Sequence, residues 1–247
     1  MYTLGLCSVS FRKKSPQEIM NAARAAGLSV IEWGSDVHAK KEDLQTLARI
    51  ASAQAAMGLS CSSYGTYFKL GETPLSELEA YIGAAAILGT NILRVWCGSK
   101  NSQDFTESEK KAFFEECRAA AKTAERYGAV LCMECHGGTY TNECTSALEL
   151  MQAVNSPSFR MYWQPSQNKT VEENLEYAEK IRDYTVNAHV FNWSGKEKYP
   201  LADGISTWKK YLAALGGGKT LLLEFMPDGK LASLDREAEA LKMIAEA

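Results

Sequence analysis

Eight short apolar runs of strand length, each followed by a stretch with helical spacing, constrain this chain more than any other feature. They are TLGLCSV (3–9), SVIEW (29–33), LSCSS (59–63), NILRVW (91–96), AVLCME (129–134), RMYWQ (160–164), VNAHVF (186–191) and TLLLEF (220–225). Three of the intervening segments open with a capping box, at SPQE (15–18), TESE (106–109) and TVEE (170–173). In such a box a Ser or Thr side chain and a Glu three residues on satisfy each other's backbone donors. Pro16 and Pro74 sit where a first helical turn tolerates proline, and Gly27, Gly58, Gly89, Gly128 and Gly216 stand where helices end,. The runs begin roughly 25 to 38 residues apart with no Pro/Ser-rich linker between them, a rhythm that favours one domain over residues 1–247,. Eight strand–helix units close naturally into a (β/α)8 TIM barrel of the α/β class. An open doubly wound sheet would need a glycine-rich phosphate turn after the first strand, and SFRKKS does not supply one,.

Composition narrows the partners. A formal net charge of -3 gives no basic footprint for phosphate backbones, so no nucleic-acid partner is expected and a small molecule is the better expectation,. No run of about 18 apolar residues exists, and the basic residues of MYTLGLCSVSFRKK follow its apolar stretch, the wrong order for a signal peptide,. No membrane association and a cytoplasmic location are therefore expected. The seven cysteines lie mostly in or beside strand-like runs, which suits reduced, buried thiols,.

In a barrel of this kind the active site gathers at the C-terminal ends of the strands. Side chains alternate along a strand, so in AVLCME the side chains of Cys132 and Glu134 share the inner face, with Glu134 near the barrel mouth,. The same reasoning puts Gln164, His189 and Glu224 at or near the ends of the following three strands. Three oxygen donors and one nitrogen suit a hard divalent ion better than Zn2+, so Mn2+ is expected first, with Mg2+ or Co2+ as alternatives. Each residue alone has a bland explanation as a cap or salt-bridge partner. Together they are harder to dismiss, because two buried carboxylates without a cation are costly. Two decoys fall away. Cys132 and Cys135 match C-x-x-C, but a strand end points them to opposite faces,. GGGKT (216–220) has Ala213 where a phosphate loop needs its first glycine, and a strand follows it,.

The strand ends MECHGG, YWQPSQ, NAHVFNW and LLLEFMPDG resemble the xylose-isomerase-like barrels of the sugar phosphate isomerase/epimerase superfamily, and the likeness covers essentially the whole chain. IEWGSDVH and SSYGTYFKLG are similar to one branch of it whose substrates are poorly defined. The resemblance implies one divalent metal held by Glu, Asp, His and Glu after the fifth to eighth strands, positions that match Glu134, Gln164, His189 and Glu224. Two departures stand out. Gln164 and Gln167 replace the Asp and a substrate-contacting His of the epimerases, and Gly195, followed by Lys196 and Lys198, replaces an Arg. An uncharged amide at 164 makes the site less anionic.

The chemistry implied is proton transfer beside a carbonyl through an enediolate, with Glu134 and Glu224 as acid and base on opposite faces. A metal-dependent isomerase or epimerase of a sugar or related hydroxy-ketone follows. A lyase acting on keto-glycosides with the same metal site is the alternative, and a non-catalytic sugar-binding barrel is the third reading. The abasic-site endonuclease branch, which uses three zinc ions and many histidines, is disfavoured by three histidines and an acidic chain,. His38, Tyr64, Arg94, Trp96, His136, Gln167, Trp193 and Lys196 are the expected substrate-binding residues, with core packing, an internal ion pair for Arg94, or an ordinary loop role as their respective alternatives,. A homodimer is an expectation by analogy with other barrels alone.

Overall fold

The computed structural model describes residues 1–246. Its barrel strands are β1 (Thr3–Cys7), β2 (Val30–Gly34), β3 (Ser60–Lys69), β4 (Ile92–Trp96), β5 (Val130–Glu134), β6 (Phe159–Trp163), β7 (Thr185–Val190) and β10 (Thr220–Leu223). They close in the order β1-β10-β7-β6-β5-β4-β3-β2, every pair parallel. A small antiparallel hairpin, β8 (Trp193–Ser194) with β9 (Glu197–Lys198), rises from the loop after β7. The helices are α1 (Pro16–Ala25), α2 (Leu44–Ala56), α3 (Leu78–Leu88), α4 (Glu107–Arg126), α5 (Cys144–Val154), α6 (Val171–Ile181), α7 (Ile205–Leu215) and α8 (Leu234–Ala245).

Alternation along the strands sorts side chains into two layers. Leu131 and Met133 of β5, Met161 and Trp163 of β6, and Leu221 and Leu223 of β10 join the large core between barrel and helices. Each such side chain contributes roughly 1.5–3 kcal/mol on burial. Cys132, Tyr162 and Leu222 lie one residue out of phase and fill the barrel itself, together with Val30, Ile92, Val130 and Val186. Continuing the inner phase upward places Arg94, Glu134 and Glu224 above this plug. The barrel is thus packed below and polar at its mouth.

The three expected capping boxes form. Ser15, Thr106 and Thr170 donate their backbone N–H groups to Glu18, Glu109 and Glu173 at 2.9, 2.8 and 2.7 Å, fixing the starts of α1, α4 and α6. Several strand limits differ from expectation, β10 for one ending at Leu223 rather than at residue 225. β1 stops at Cys7 because residues 8–11 wind into a 3-10 turn, whose Ser8 hydroxyl accepts the Gly34 N–H. β3 runs on to Lys69, pairing again with Trp96 of β4 after a register shift between Gly65 and Lys69. Among the described residues no helix is long and apolar enough to cross a membrane.

Candidate metal centre and active site

Four donor atoms from four consecutive barrel strands meet at one point. His189 Nδ1 lies 3.2 Å from Gln164 Oε1, 3.4 Å from Glu134 Oε1 and 3.6 Å from Glu224 Oε2. Local structure explains the convergence. Glu134 is the last residue of β5, while Gln164 and Glu224 directly follow β6 and β10, and His189 is the penultimate residue of β7. Gln164 is oriented by its own amide, whose Nε2 donates to the Cys135 carbonyl at 3.1 Å, so that its oxygen turns inward. The Phe225 backbone holds a left-handed φ of 48°, rare for a bulky residue, and its N–H donates to Ser10 Oγ at 2.8 Å,. That turn sets the direction in which the chain leaves Glu224.

Beneath the donors sits a buried ionic network. Arg94 donates from Nη1 to Glu134 Oε2 at 2.7 Å and from Nε to Glu32 Oε1 at 3.0 Å. Glu32, fully buried on β2, also accepts from Cys7 Sγ at 3.2 Å, from Ser63 Oγ at 3.1 Å and from the Tyr162 hydroxyl. Its Oε2 faces His189 Nε2 at 3.5 Å. Room for the pair depends on Gly65, where an added Cβ would stand 2.6 Å from Glu32 Oε1 and 2.9 Å from Arg94 Nη2.

The charges respond to one another. Burial alone would raise the pKa of Glu134, but Arg94 and His189 outweigh it and hold this carboxyl down to about 2. Glu32 is likewise kept ionised, burial being overcome by Arg94 and His189. Glu224 moves the other way, its pKa raised by burial and by the neighbouring carboxylates. Burial opposes charge on His189, yet Glu224 and Glu32 push its pKa well above the usual histidine range. With His189 neutral and Glu224 ionised, as metal ligands must be, the three carboxylates Glu32, Glu134 and Glu224 are matched by the one guanidinium of Arg94, a deficit of two positive charges,. A divalent cation would supply that charge, and the donors of an octahedral ion stand ~3 Å apart, close to the spacing here. The donor set fits a divalent metal, which Glu134 Oε1, Gln164 Oε1, His189 Nδ1 and Glu224 Oε2 would hold.

A cavity of 230 Å³ opens above these atoms, walled by Arg12, Tyr67, Trp96, His136, Trp193 and Phe225, with Gln167 also at its edge. Arg94, Trp96, His136, Gln167 and Trp193 thus stand together around Glu134 and Glu224. The other three expected substrate contacts stand apart. His38 is buried beneath the rim, hydrogen-bonded to Ser8 Oγ and the Lys14 carbonyl, both at 3.1 Å. Tyr64 falls on the outer phase of β3, where its hydroxyl donates to the Ala39 carbonyl and its ring packs on Tyr81. Lys196 is exposed between β8 and β9, whereas Lys198 lies over the Trp193 and Phe225 rings at 4.7 and 5.1 Å. Glu32, Cys7, Ser63 and Tyr162 are not among the residues expected from the sequence. One signal was present: Glu32 interrupts an otherwise apolar run between Ile31 and Trp33, and Arg94 does the same between Leu93 and Val95.

Comparison with known proteins agrees with this fold. Residues 20–217 match the family described as xylose isomerase-like TIM barrel. A 3-dehydroshikimate dehydratase of Bacillus anthracis is 25% identical over 167 residues, which cover 63% of this chain and 59% of that relative. Among solved structures, the probable 3-DHS dehydratase AsbF of Bacillus anthracis superposes with a TM-score of 0.83 at 19% identity, over 98% of this chain and 99% of that one. An L-ribulose 3-epimerase superposes at 0.74 with 15% identity over 100% and 95% of the two chains. The IolI protein with a zinc atom bound does so at 0.77 with 14% identity over 99% and 98%.

Proposed function

We propose, from the premise that this chain belongs to the xylose isomerase-like TIM barrel family, that it moves a proton beside the carbonyl of a sugar or related hydroxy-ketone, as an isomerase or epimerase. The observation that carries this reading is the meeting of Glu134 Oε1 and Glu224 Oε2, 3.4 and 3.6 Å from the same His189 nitrogen, at the floor of a substrate-sized cavity. A divalent ion, Mn2+ by first choice, would supply Lewis acidity to the substrate's carbonyl and neighbouring hydroxyl, favouring the enediolate. Glu224, whose burial raises its proton affinity, is the carboxylate suited to take the C–H proton,. Glu134 faces the substrate from another strand and returns a proton to the opposite side in an epimerisation. Trp96 and Trp193 offer ring faces to the substrate's C–H surface, and Gln167 offers an amide to its hydroxyls,.

A second reading rests on an asymmetry. Arg94 fixes Glu134 as a carboxylate of low proton affinity, leaving Glu224 as the single effective base. One base suits an elimination, in which Glu224 removes the C–H proton, the electron pair forms the double bond, and a hydroxyl or glycosidic oxygen leaves with a proton. The partial match to a relative named as a dehydratase supports the same alternative.

Incubation of the Mn2+-loaded protein with ketoses, hydroxy-ketones and keto-glycosides in D2O separates the readings. Deuterium at the carbon beside the carbonyl reports proton exchange, an inverted or moved carbonyl reports isomerisation, and lost water or released aglycone reports elimination. Glu224→Gln should abolish all three with the fold intact; near-normal turnover in that variant rules the mechanism out. Activity that survives complete chelation would remove the metal from the reading, and exchange absent throughout would leave a sugar-binding barrel.

A further inference from the structure

Cys7 is a sulfur-bearing side chain against the donor cluster that the proton-transfer chemistry leaves without a role. It ends β1, is fully buried, and lies on the inner phase of the barrel beside Glu32. Its Sγ, one ring nitrogen of His189 and one carboxylate oxygen of Glu224 lie within 4.8 Å of one another. His189 adds an independent sign: its Nε2 is buried and makes no hydrogen bond, although Glu32 Oε2 stands 3.5 Å away. An imidazole with one nitrogen turned to the oxygen donors and the other unpartnered deeper in the barrel presents ligand atoms to two places.

We propose that Cys7, His189 and Glu224 form a second metal subsite at the floor of the cavity, selective for thiophilic divalent ions such as Zn2+ or Cd2+. Sulfur, nitrogen and one oxygen are the set such ions prefer, in tetrahedral geometry with a fourth ligand from water or a carboxylate. Mg2+ and Mn2+ gain little from a thiolate and are suited instead by the oxygen-rich set of Glu134, Gln164, His189 and Glu224. On binding, the ion replaces the thiol proton, which leaves to solvent, and the thiolate with Glu224 balances its two charges. Both sets share the His189 ring and Glu224, so a soft ion in the subsite takes Glu224 from the hard-ion centre and sets a second dication beside it. The subsite therefore makes soft ions inhibitors of the hard-ion centre, a consequence that rests on the proposed function above.

Titration of the reduced, metal-free protein with Co2+ tests the subsite without any turnover. A near-ultraviolet thiolate-to-cobalt charge-transfer band is expected, lost in Cys7→Ser and retained in Cys132→Ser and Cys135→Ser. Zn2+ affinity should fall at least about tenfold in Cys7→Ser, with Mg2+ affinity changed less than about twofold. X-ray absorption of the zinc-loaded wild type reads the same ligation with no variant, through a sulfur scatterer at about 2.3 Å. Co2+ bound without the band, a band unchanged in Cys7→Ser, or a zinc shell lacking sulfur overturns the proposal. Sulfur ligation together with absent proton exchange would sink the proposed function and leave the subsite standing; the reverse pair of results would sink only the subsite.

Discussion

The Glu32–Arg94–Glu134 network makes a quantitative claim that a double-mutant cycle can test. In Glu32→Gln, Arg94 loses its 3.0 Å carboxylate partner but keeps Glu134 at 2.7 Å, with both ends of the network almost fully buried. Removing one partner of a buried pair costs 3–5 kcal/mol, and the surviving contact places this variant near the lower end, at about 3 kcal/mol. Arg94→Met strands two buried carboxylates instead of one cation, which places it at about 5 kcal/mol. Once Glu32 is already neutral, the same Arg94→Met change strands only Glu134, at about 3 kcal/mol, so the double variant should cost about 6 kcal/mol rather than the ~8 that addition gives. The expected coupling of about 2 kcal/mol is read by urea unfolding, followed by tryptophan fluorescence, of the four proteins in excess chelator. Should Arg94→Met alone fail to fold, a folded double variant carries the same conclusion. Additivity of the two single changes within about 0.5 kcal/mol would refute the shared-charge account.

Two further outcomes are expected. Gln164→Asp adds a negative charge to the ligand set and should tighten Mn2+ binding at least about tenfold, roughly 1.4 kcal/mol, by calorimetric titration; unchanged or weaker binding would show that residue 164 does not face the ion,. The capping carboxylates of α1 and α4 are held down to about 2, Glu18 by the Ser15 backbone and Lys14, Glu109 by Lys100 and Thr106, and Glu173 of α6 is lowered by Thr170. Folded pKa values below the unfolded ~4.3 mean that these caps stabilise above that pH and lose their contribution as pH falls towards about 2. Melting temperatures of the Glu18→Gln/Glu109→Gln/Glu173→Gln variant should therefore converge on those of the wild type in acid; a constant gap between pH 6 and pH 2 contradicts this.

How much of this was legible in the sequence depended on whether the signal was local. Strand runs, capping boxes and terminal glycines are properties of a few adjacent residues, and the barrel follows from their repetition. Glu134, Gln164, His189 and Glu224 were legible because strand alternation and barrel architecture together fix where a residue at the end of a strand must point. Glu32 was passed over, since its stabilising partners lie 25 to 130 positions away in the chain, at Cys7, Ser63, Arg94 and Tyr162. Tyr64 shows the opposite limit: an aromatic ring near a strand end reads the same whether it faces the cavity or, as here, the helices. The continuation of β3 past Gly65 was hidden because SSYGTYFK carries no clean alternation, so the strand's inner phase could not be carried to its end.

The two halves of the barrel divide the labour unequally. All four oxygen and nitrogen donors come from the stretch 134–224, whereas Cys7, Glu32, Ser63 and Arg94 belong to the first four strands. A cut at the α4–β5 turn, near Gly128, would give one fragment bearing every oxygen and nitrogen donor and another bearing Cys7 and the counter-charge that keeps Glu134 anionic. Neither fragment would own the chemistry, and mixing the pair would have to rebuild it across two seams, β1 against β10 and β4 against β5.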